Sequence, residues 1–332
     1  MKIAFVLTVK NESRLLRNNL RYHQAIGAAH IFVYFDGSTD DGKDTIKDLA
    51  YVTILESVAA KKFEHLPFLE KFTSQAIEHH TARQCLNTYD AKLRALEKGC
   101  DWLISIDADE LVCPNFDAHQ SLNEFFGGID QAVSVIRFYT FEAIQRKQQY
   151  ENVFAEETLF KTTHTYKSKF QKIWKTLEDP FEKRPFKTSY WYGHHLGKAA
   201  IRTSSHVIPK NVHAYQRVDG SNPRKLQKGN VLHYHAYDSD DFLKKFTNFS
   251  KHPDVFLSGN KVKPLKLLLR NIVNSKELCQ EYKEKYYKNY LMFTEREVVK
   301  LKKNRYLFFL KRNKAPLRTI MVPNQIFKRL NS

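Results

Sequence analysis

The stretch WLISIDADEL, from Trp102 to Leu111, is apolar until it delivers Asp107, Asp109 and Glu110 together. Two aspartates one residue apart at the end of a strand point to the same side of the pleat, and with a turn following them they can share a divalent cation. Carboxylate oxygens suit hard ions such as Mg2+ or Mn2+, and the cation can in turn hold a diphosphate. The blander alternative is a cap for the next helix, or loop acids in water. A second set lies in VLHYHAY, where His233 and His235 fall on one strand face. They are either metal ligands or histidines hydrogen-bonded within a core.

These groups have to be positioned by strands and helices. KIAFVLTV is a short, nearly continuous apolar run of the kind found in parallel strands covered on both faces. SRLLRNNLRYHQAIG then reads as a helix, with Ser13 as its cap and Gly27 as its stop. Strand IFVYFD, turn GSTDDG, helix KDTIKDLA and strand VTILES continue a βαβαβ series. A polar helical region over residues 70–98 precedes WLISID. A helix near 119–126 and strand AVSVIRFY complete an open α/β sheet. Ligands bind such sheets at the carboxyl ends of the strands. The polar clusters at Lys10 to Glu12, Asp36 to Asp41 and Asp107 to Glu110 all fall there, so three separate loops should meet at one crevice.

At 332 residues the chain can bury a sizeable core, and 42% hydrophobic with 27% charged residues is a globular composition, not a disordered one. No apolar run is long enough to span a bilayer. IAFVLTV is short for a secretory signal and runs straight into KNESR, so it reads as the first strand. Cys85, Cys100, Cys113 and Cys279 show no metal-binding spacing and read as free thiols of a reducing compartment. The net charge of +18 is unevenly shared: residues 1–130 carry 14 Lys+Arg against 19 Asp+Glu, and the remainder 40 against 17. A basic second half points to an anionic partner.

TVKNES after the first strand, FDGSTDDG after the second, ARQCLN before the aspartate strand, IDADEL itself and the later HYHAYDSDDFLKKF together resemble the GT-A fold glycosyltransferases, in particular the family-2-like branch and glycosyltransferase family 92. The resemblance implies an α/β fold of the GT-A (Rossmann-like) kind, an open mixed sheet flanked by helices. Residues 1–140 would form its nucleotide-sugar-binding half, 141–255 its acceptor-binding half and 256–332 a basic helical C-terminal extension. It also implies a nucleotide-sugar donor, with UDP expected first, and a Mn2+ or Mg2+ cofactor. Asp36 would meet the base or ribose, Glu12 would shape the nucleotide pocket together with Thr8 and Lys10, and Arg83 would lie near the donor phosphates, where a guanidinium fork suits paired oxygens. The plainer roles are a turn former for Asp36 and a surface helix residue for Arg83. Asp107 would sit near ribose and metal, Asp109 would bind the metal, and His233 ahead of His235 would supply a further ligand. His194, His195, Lys198 and His213 join as candidates for the donor or acceptor pocket. An inverting enzyme needs a carboxylate base near the acceptor hydroxyl, and Glu142, Asp179 and Asp219 are the candidates.

The expected activity is sugar transfer to a glycan or lipid-linked acceptor in surface polysaccharide assembly. A nucleotidyltransferase would use similar acids and metal, but usually with a Gly-rich phosphate loop, and TVKNES has no glycine. The other rival is a basic membrane- or nucleic-acid-binding protein on a vestigial GT-A fold, although no recognised RNA or DNA motif accompanies the charge. Beyond Glu297 the chain has ten Lys/Arg and no acid, threaded with YLFFL, TIMV and QIF. Such a segment can lie on an anionic membrane or cover the core. The expected location is cytoplasmic, with peripheral attachment to the inner face of a membrane as the variant.

Overall fold

Both faces of the first strand are covered, which is why it reads as an unbroken apolar run. β1 (Ile3–Val9) pairs in parallel with β2 (His30–Phe35) and with β4 (Trp102–Ser105). Its Ile3, Phe5, Leu7 and Val9 pack in one cluster with Leu16 and Leu20 of helix α1 (Ser13–Ala25). Ala4 and Val6 face the other way, toward Ala91 and Ala95 of a helix spanning His80–Glu97. The structure is a computed structural model and describes residues 1–162, 196–303 and 316–332.

The main sheet runs β12-β7-β6-β8-β4-β1-β2-β3. Its remaining members are β3 (Val52–Glu56), β6 (Val135–Ala143), β7 (Leu159–Lys161), β8 (Ala199–Arg202) and β12 (Leu317–Thr319). β11 (Lys225–His233) lies parallel to β6 and carries β5 (Glu110–Cys113) antiparallel on its other side. β9 (Val207–Asn211) and β10 (Ala214–Arg217) form a separate hairpin. The open mixed α/β sheet flanked by helices expected from the sequence is therefore present. Val9 stands opposite Phe35, and Val6 opposite Ser105, so the loops after β1, β2 and β4 emerge on one edge.

Local readings needed three corrections. KDTIKDLA is no α-helix: only a 3-10 turn, Asp44–Ile46, forms, because few residues separate it from β3. The helical region 70–98 is two helices, the single turn α2 (Glu70–Thr73) and α3 (His80–Glu97). The strand AVSVIRFY starts later and runs to Ala143, which puts Glu142 inside β6 and not after it. Short helices α4 (Leu122–Gly127), closed by a Ser121–Glu124 capping box, and α5 (Val153–Glu156) follow.

Behind the site edge, α6 (Ser239–Asn248) is followed by α7 (Pro264–Asn274), α8 (Gln280–Tyr290) and α9 (Glu295–Lys302). The last segment returns to the main body. β12 pairs with β7, and α10 (Val322–Asn331) buries Ile326 and Phe327 in the large core beside Tyr22 and Phe154. TIMV and QIF thus contribute Ile320, Val322, Ile326 and Phe327 to the core. YLFFL lies outside the described residues.

One core residue sets a pH dependence. His23 is fully buried, its Nε2 accepts the Val112 N–H at 3.1 Å, and Nδ1 therefore carries the proton, donating to the Asn19 carbonyl at 2.9 Å. Burial lowers its pKa to about 3 against the backbone bond that favours the charge. The unfolded chain takes up a proton near the ordinary histidine value and the native one does not, so this contribution is complete above pH 6.5 and is lost as pH falls toward 3. Between pH 6.5 and 5 we expect His23 to cost about 1.6 kcal/mol of stability. Urea unfolding at the two pH values checks this, with His23→Gln showing the smaller drop; equal drops would show that His23 is not the group responsible.

Candidate active site

Strand register builds the centre. His233, the last residue of β11, stands opposite Glu142 of β6 on one side and Glu110 of β5 on the other. Its Nδ1 lies 2.6 Å from Glu142 Oε1, and its Nε2 lies 3.2 Å from Asp109 Oδ2. The chain is held at this point by the Tyr234 N–H, which donates to the Asp109 carbonyl at 2.8 Å. His235 completes the set: single ligand atoms of Asp109, His233 and His235 all fall within 4.8 Å of one another. Ala236 then takes a left-handed φ of 44°, uncommon for a residue with a Cβ, and its carbonyl accepts from the Tyr287 hydroxyl at 3.0 Å. That turn aims the chain from β11 into α6.

A carboxylate with two imidazoles fits a divalent cation, and the nitrogen donors favour Mn2+ over Mg2+, which prefers oxygen. Glu142 behind His233 is the outer partner that fixes a ligating imidazole. It is fully buried, an orienting position and not that of a base facing an acceptor. Asp107 stands outside this cluster. Its Oδ1 accepts from Gln84 Nε2 at 2.7 Å and its Oδ2 pairs with Lys198 Nζ at 2.7 Å.

Cations answer the acids. Lys198, 2% exposed in the segment leading into β8, also lies 3.5 Å from Glu110. Lys245 of α6 reaches Asp109 Oδ2 at 2.6 Å, and Lys244 bridges Glu12 and Asp241. Burial opposes the charge on Asp109, but Lys245 and His233 outweigh it and hold the carboxyl well below its ordinary value. Burial likewise opposes the charge on His233, where Glu142 and Asp109 prevail and raise it well above the usual range. For Glu12 burial wins over Lys244 and Lys245, pushing it up to about 7. The helix that brings these lysines is anchored at its start: Asp238 caps it by accepting the Asp241 N–H at 2.9 Å and is itself held by Arg14 at 2.8 Å.

On the neighbouring loops, Arg83 forks onto Asp36, with Nε 2.6 Å and Nη2 2.8 Å from the two carboxylate oxygens, while Nη1 donates to the Ala76 carbonyl at 2.6 Å. The break between α2 and α3 supplies that carbonyl. Thr8 Oγ1 accepts from Asn87 Nδ2 at 3.0 Å. Lys10 is exposed, and its carbonyl accepts from Asn248 Nδ2 at 3.1 Å. His213 sits beside the Lys198 segment, its Nδ1 3.2 Å from the Gly197 carbonyl.

Of the three carboxylates considered as base, Glu142 is buried behind His233, and Asp219 lies on the exposed turn after β10, where it accepts the Ser221 N–H. Asp179 falls outside the described residues, as do His194 and His195. Sequence reading missed Lys244, Lys245 and Gln84. The only signal for the first two was a lysine pair in the helix that directly follows HYH.

The sequence profile of glycosyltransferase family 92 matches residues 7–261. Two curated relatives from Arabidopsis thaliana, Glycosyltransferase-like At3g57200 and At2g41451, are 24% and 22% identical over 224 residues, 64% of this chain in each case and 43% and 49% of the relatives. The chain thus spans about half the length of the curated relatives it matches. Among solved structures, glucosyl-3-phosphoglycerate synthase from Mycobacterium tuberculosis in complex with Mn2+, UDP and glucosyl-3-phosphoglycerate is 12% identical, with 76% of this chain and 81% of that chain covered and a TM-score of 0.33.

Proposed function

The chain belongs to glycosyltransferase family 92, and we propose that it moves a sugar from a nucleoside-diphosphate donor, UDP by preference, to a glycan or lipid-linked acceptor of surface polysaccharide assembly, with Mn2+ or Mg2+ as cofactor. The observation that carries this reading is the convergence of Asp109, His233 and His235 on the strand-end edge that also holds the Asp36–Arg83 pair. When bound, the cation supplies Lewis-acid stabilisation of the departing diphosphate. The chain's own residues do the rest. Glu142 orients His233, Lys198 holds Asp107 and Glu110 in place, and Arg83 fixes the Asp36 carboxylate at the end of β2, where it can meet the ribose or base. The deciding experiment follows slow hydrolysis of UDP-, GDP- and CMP-sugars with Mn2+. Cleavage of one of them, stopped by a chelator, is expected; absence of both binding and cleavage across the set would overturn the proposal.

Because the guanidinium makes two bonds to one carboxylate, Arg83→Lys should keep the charge and lose the fork. We expect UDP affinity to fall about ten-fold in Arg83→Ala, with Arg83→Lys between it and the wild type, the worth of a charge-assisted hydrogen bond. Calorimetry with UDP measures it; alanine binding UDP as the wild type does would place Arg83 outside donor recognition.

A lipid-linked acceptor also gives the basic second half a role as a docking surface for the inner face of an anionic membrane. No helix among the described residues is long and apolar enough to cross a membrane. The apolar residues of 317–331 are mostly buried, so the attraction would be electrostatic, about 1 kcal/mol for each engaged Lys or Arg. Co-sedimentation with anionic vesicles should be strong at low salt and lost at high salt. Salt-independent binding, or none at low salt, would remove the membrane from the account.

A further inference from the structure

Lys245 stands where a cation belongs. Its Nζ lies 2.6 Å from Asp109 Oδ2, the same oxygen that His233 Nε2 approaches at 3.2 Å. That oxygen's residue is also a member of the cluster able to hold a metal ion. An ammonium and a divalent ion therefore compete for one carboxylate, and in a buried site the repulsion between them is strong. The ammonium has another place to go. Asp241, one helical turn earlier on α6, is buried, and its Oδ2 lies 3.9 Å from Lys245 Nζ. Four rotatable bonds let the side chain travel without moving the helix, which Phe242 and Phe246 anchor against Leu269, Val273 and Tyr287.

Lys198 differs in the acids it meets. It holds Asp107 and Glu110 together, is 2% exposed, and both of its acids stand outside the metal-capable set. Lys198 thus neutralises acids outside the metal-capable set, whereas Lys245 shares its carboxylate with that set.

We propose that Lys245 is a displaceable ammonium: it neutralises Asp109 and competes with the divalent cation while the site is empty of donor, and turns to the anionic oxygens of the diphosphate when donor arrives. This rests on the reading of the site as a metal and nucleotide-sugar centre. Its consequence is linkage. Diphosphate that draws Lys245 away frees Asp109 for the cation, so nucleotide and cation each tighten the binding of the other by the same factor.

Calorimetry on the full chain tests it, with Mn2+ alone, UDP alone, and each in the presence of the other. Lys245→Met should bind Mn2+ alone at least about ten-fold tighter than the wild type, bind UDP in saturating Mn2+ about ten-fold more weakly, and show reduced mutual tightening. Lys245→Arg keeps the charge and should not gain affinity for Mn2+ alone. Lys245→Gln serves if the methionine variant does not fold, since its amide still donates to Asp109. Mn2+ alone binding no tighter in the neutral variants, or UDP affinity unchanged in them, would overturn the proposal. Asp109→Asn separates the two levels: if it binds Mn2+ as the wild type does, the metal centre itself is wrong; if it loses Mn2+ while the Lys245 variants behave as wild type, only the role of Lys245 fails.

Discussion

Asp109→Asn lowers metal-dependent turnover by at least about a hundred-fold while the protein still folds. The size follows from what lies behind the ligand: removing an outer-shell partner alone typically costs ten- to a hundred-fold in metal affinity or activity, and Asp109 contributes an oxygen to the cluster itself. The change conserves volume at a site 4% exposed, and the backbone carbonyl that accepts the Tyr234 N–H is untouched. It removes one negative charge among several that Lys245 and His233 neutralise. Circular dichroism should therefore report a native spectrum while calorimetry with UDP and Mn2+ reports the loss. Wild-type turnover and metal affinity in the mutant would take Asp109 out of the chemistry.

The second large effect is expected at a residue that need touch neither metal nor sugar. Glu142→Gln should weaken Mn2+ binding by about ten- to a hundred-fold. The amide oxygen can still accept from His233 Nδ1, so the tautomer survives, but the negative charge that raises the basicity of Nε2 is gone. Glu142→Ala goes further, because the bond to His233 Nδ1 is lost and a cavity opens at a fully buried position. A graded loss, wild type above glutamine above alanine, distinguishes orientation from simple destabilisation, and melting curves for both variants are recorded alongside. Equal Mn2+ affinity in all three would mean that His233 is not held for a metal.

Much of this arrangement is legible in the chain. β1, β2 and β4 announce themselves because parallel strands covered on both sides need apolar residues at every position, and their loops must converge because the strands are parallel neighbours. That His233 and His235 share a strand face was legible in VLHYHAY, whereas their meeting with Asp109 was implied only by the family resemblance. What the sequence could not display is register. Glu142 looked like a residue beyond its strand and a candidate base; only the alignment of β6 with β11 shows it lodged behind His233. Lys244 and Lys245 were hidden for a related reason, since nothing local says which side of α6 faces the strand ends. Asp36 and Arg83 were each read as donor contacts, and their mutual fork depends on a break in the helix between Thr73 and His80 that an uninterrupted polar helix pattern concealed. KDTIKDLA failed by length, its helical pattern outweighed by the short distance to β3.

The return of α10 to the first helix has a consequence for how the molecule is made. Arg21 donates to the Leu330 carbonyl across 309 residues of chain, and Phe327 stacks on Tyr22. On a ribosome the early strands and α1 emerge long before their cover exists, so an apolar face must wait, exposed, until synthesis has run on through α10. Contacts this distant in sequence slow folding, and unfinished faces of this sort invite aggregation or capture by chaperones. The nascent protein is thus most vulnerable when β1, β2, β4 and α1 have emerged and α10 has not.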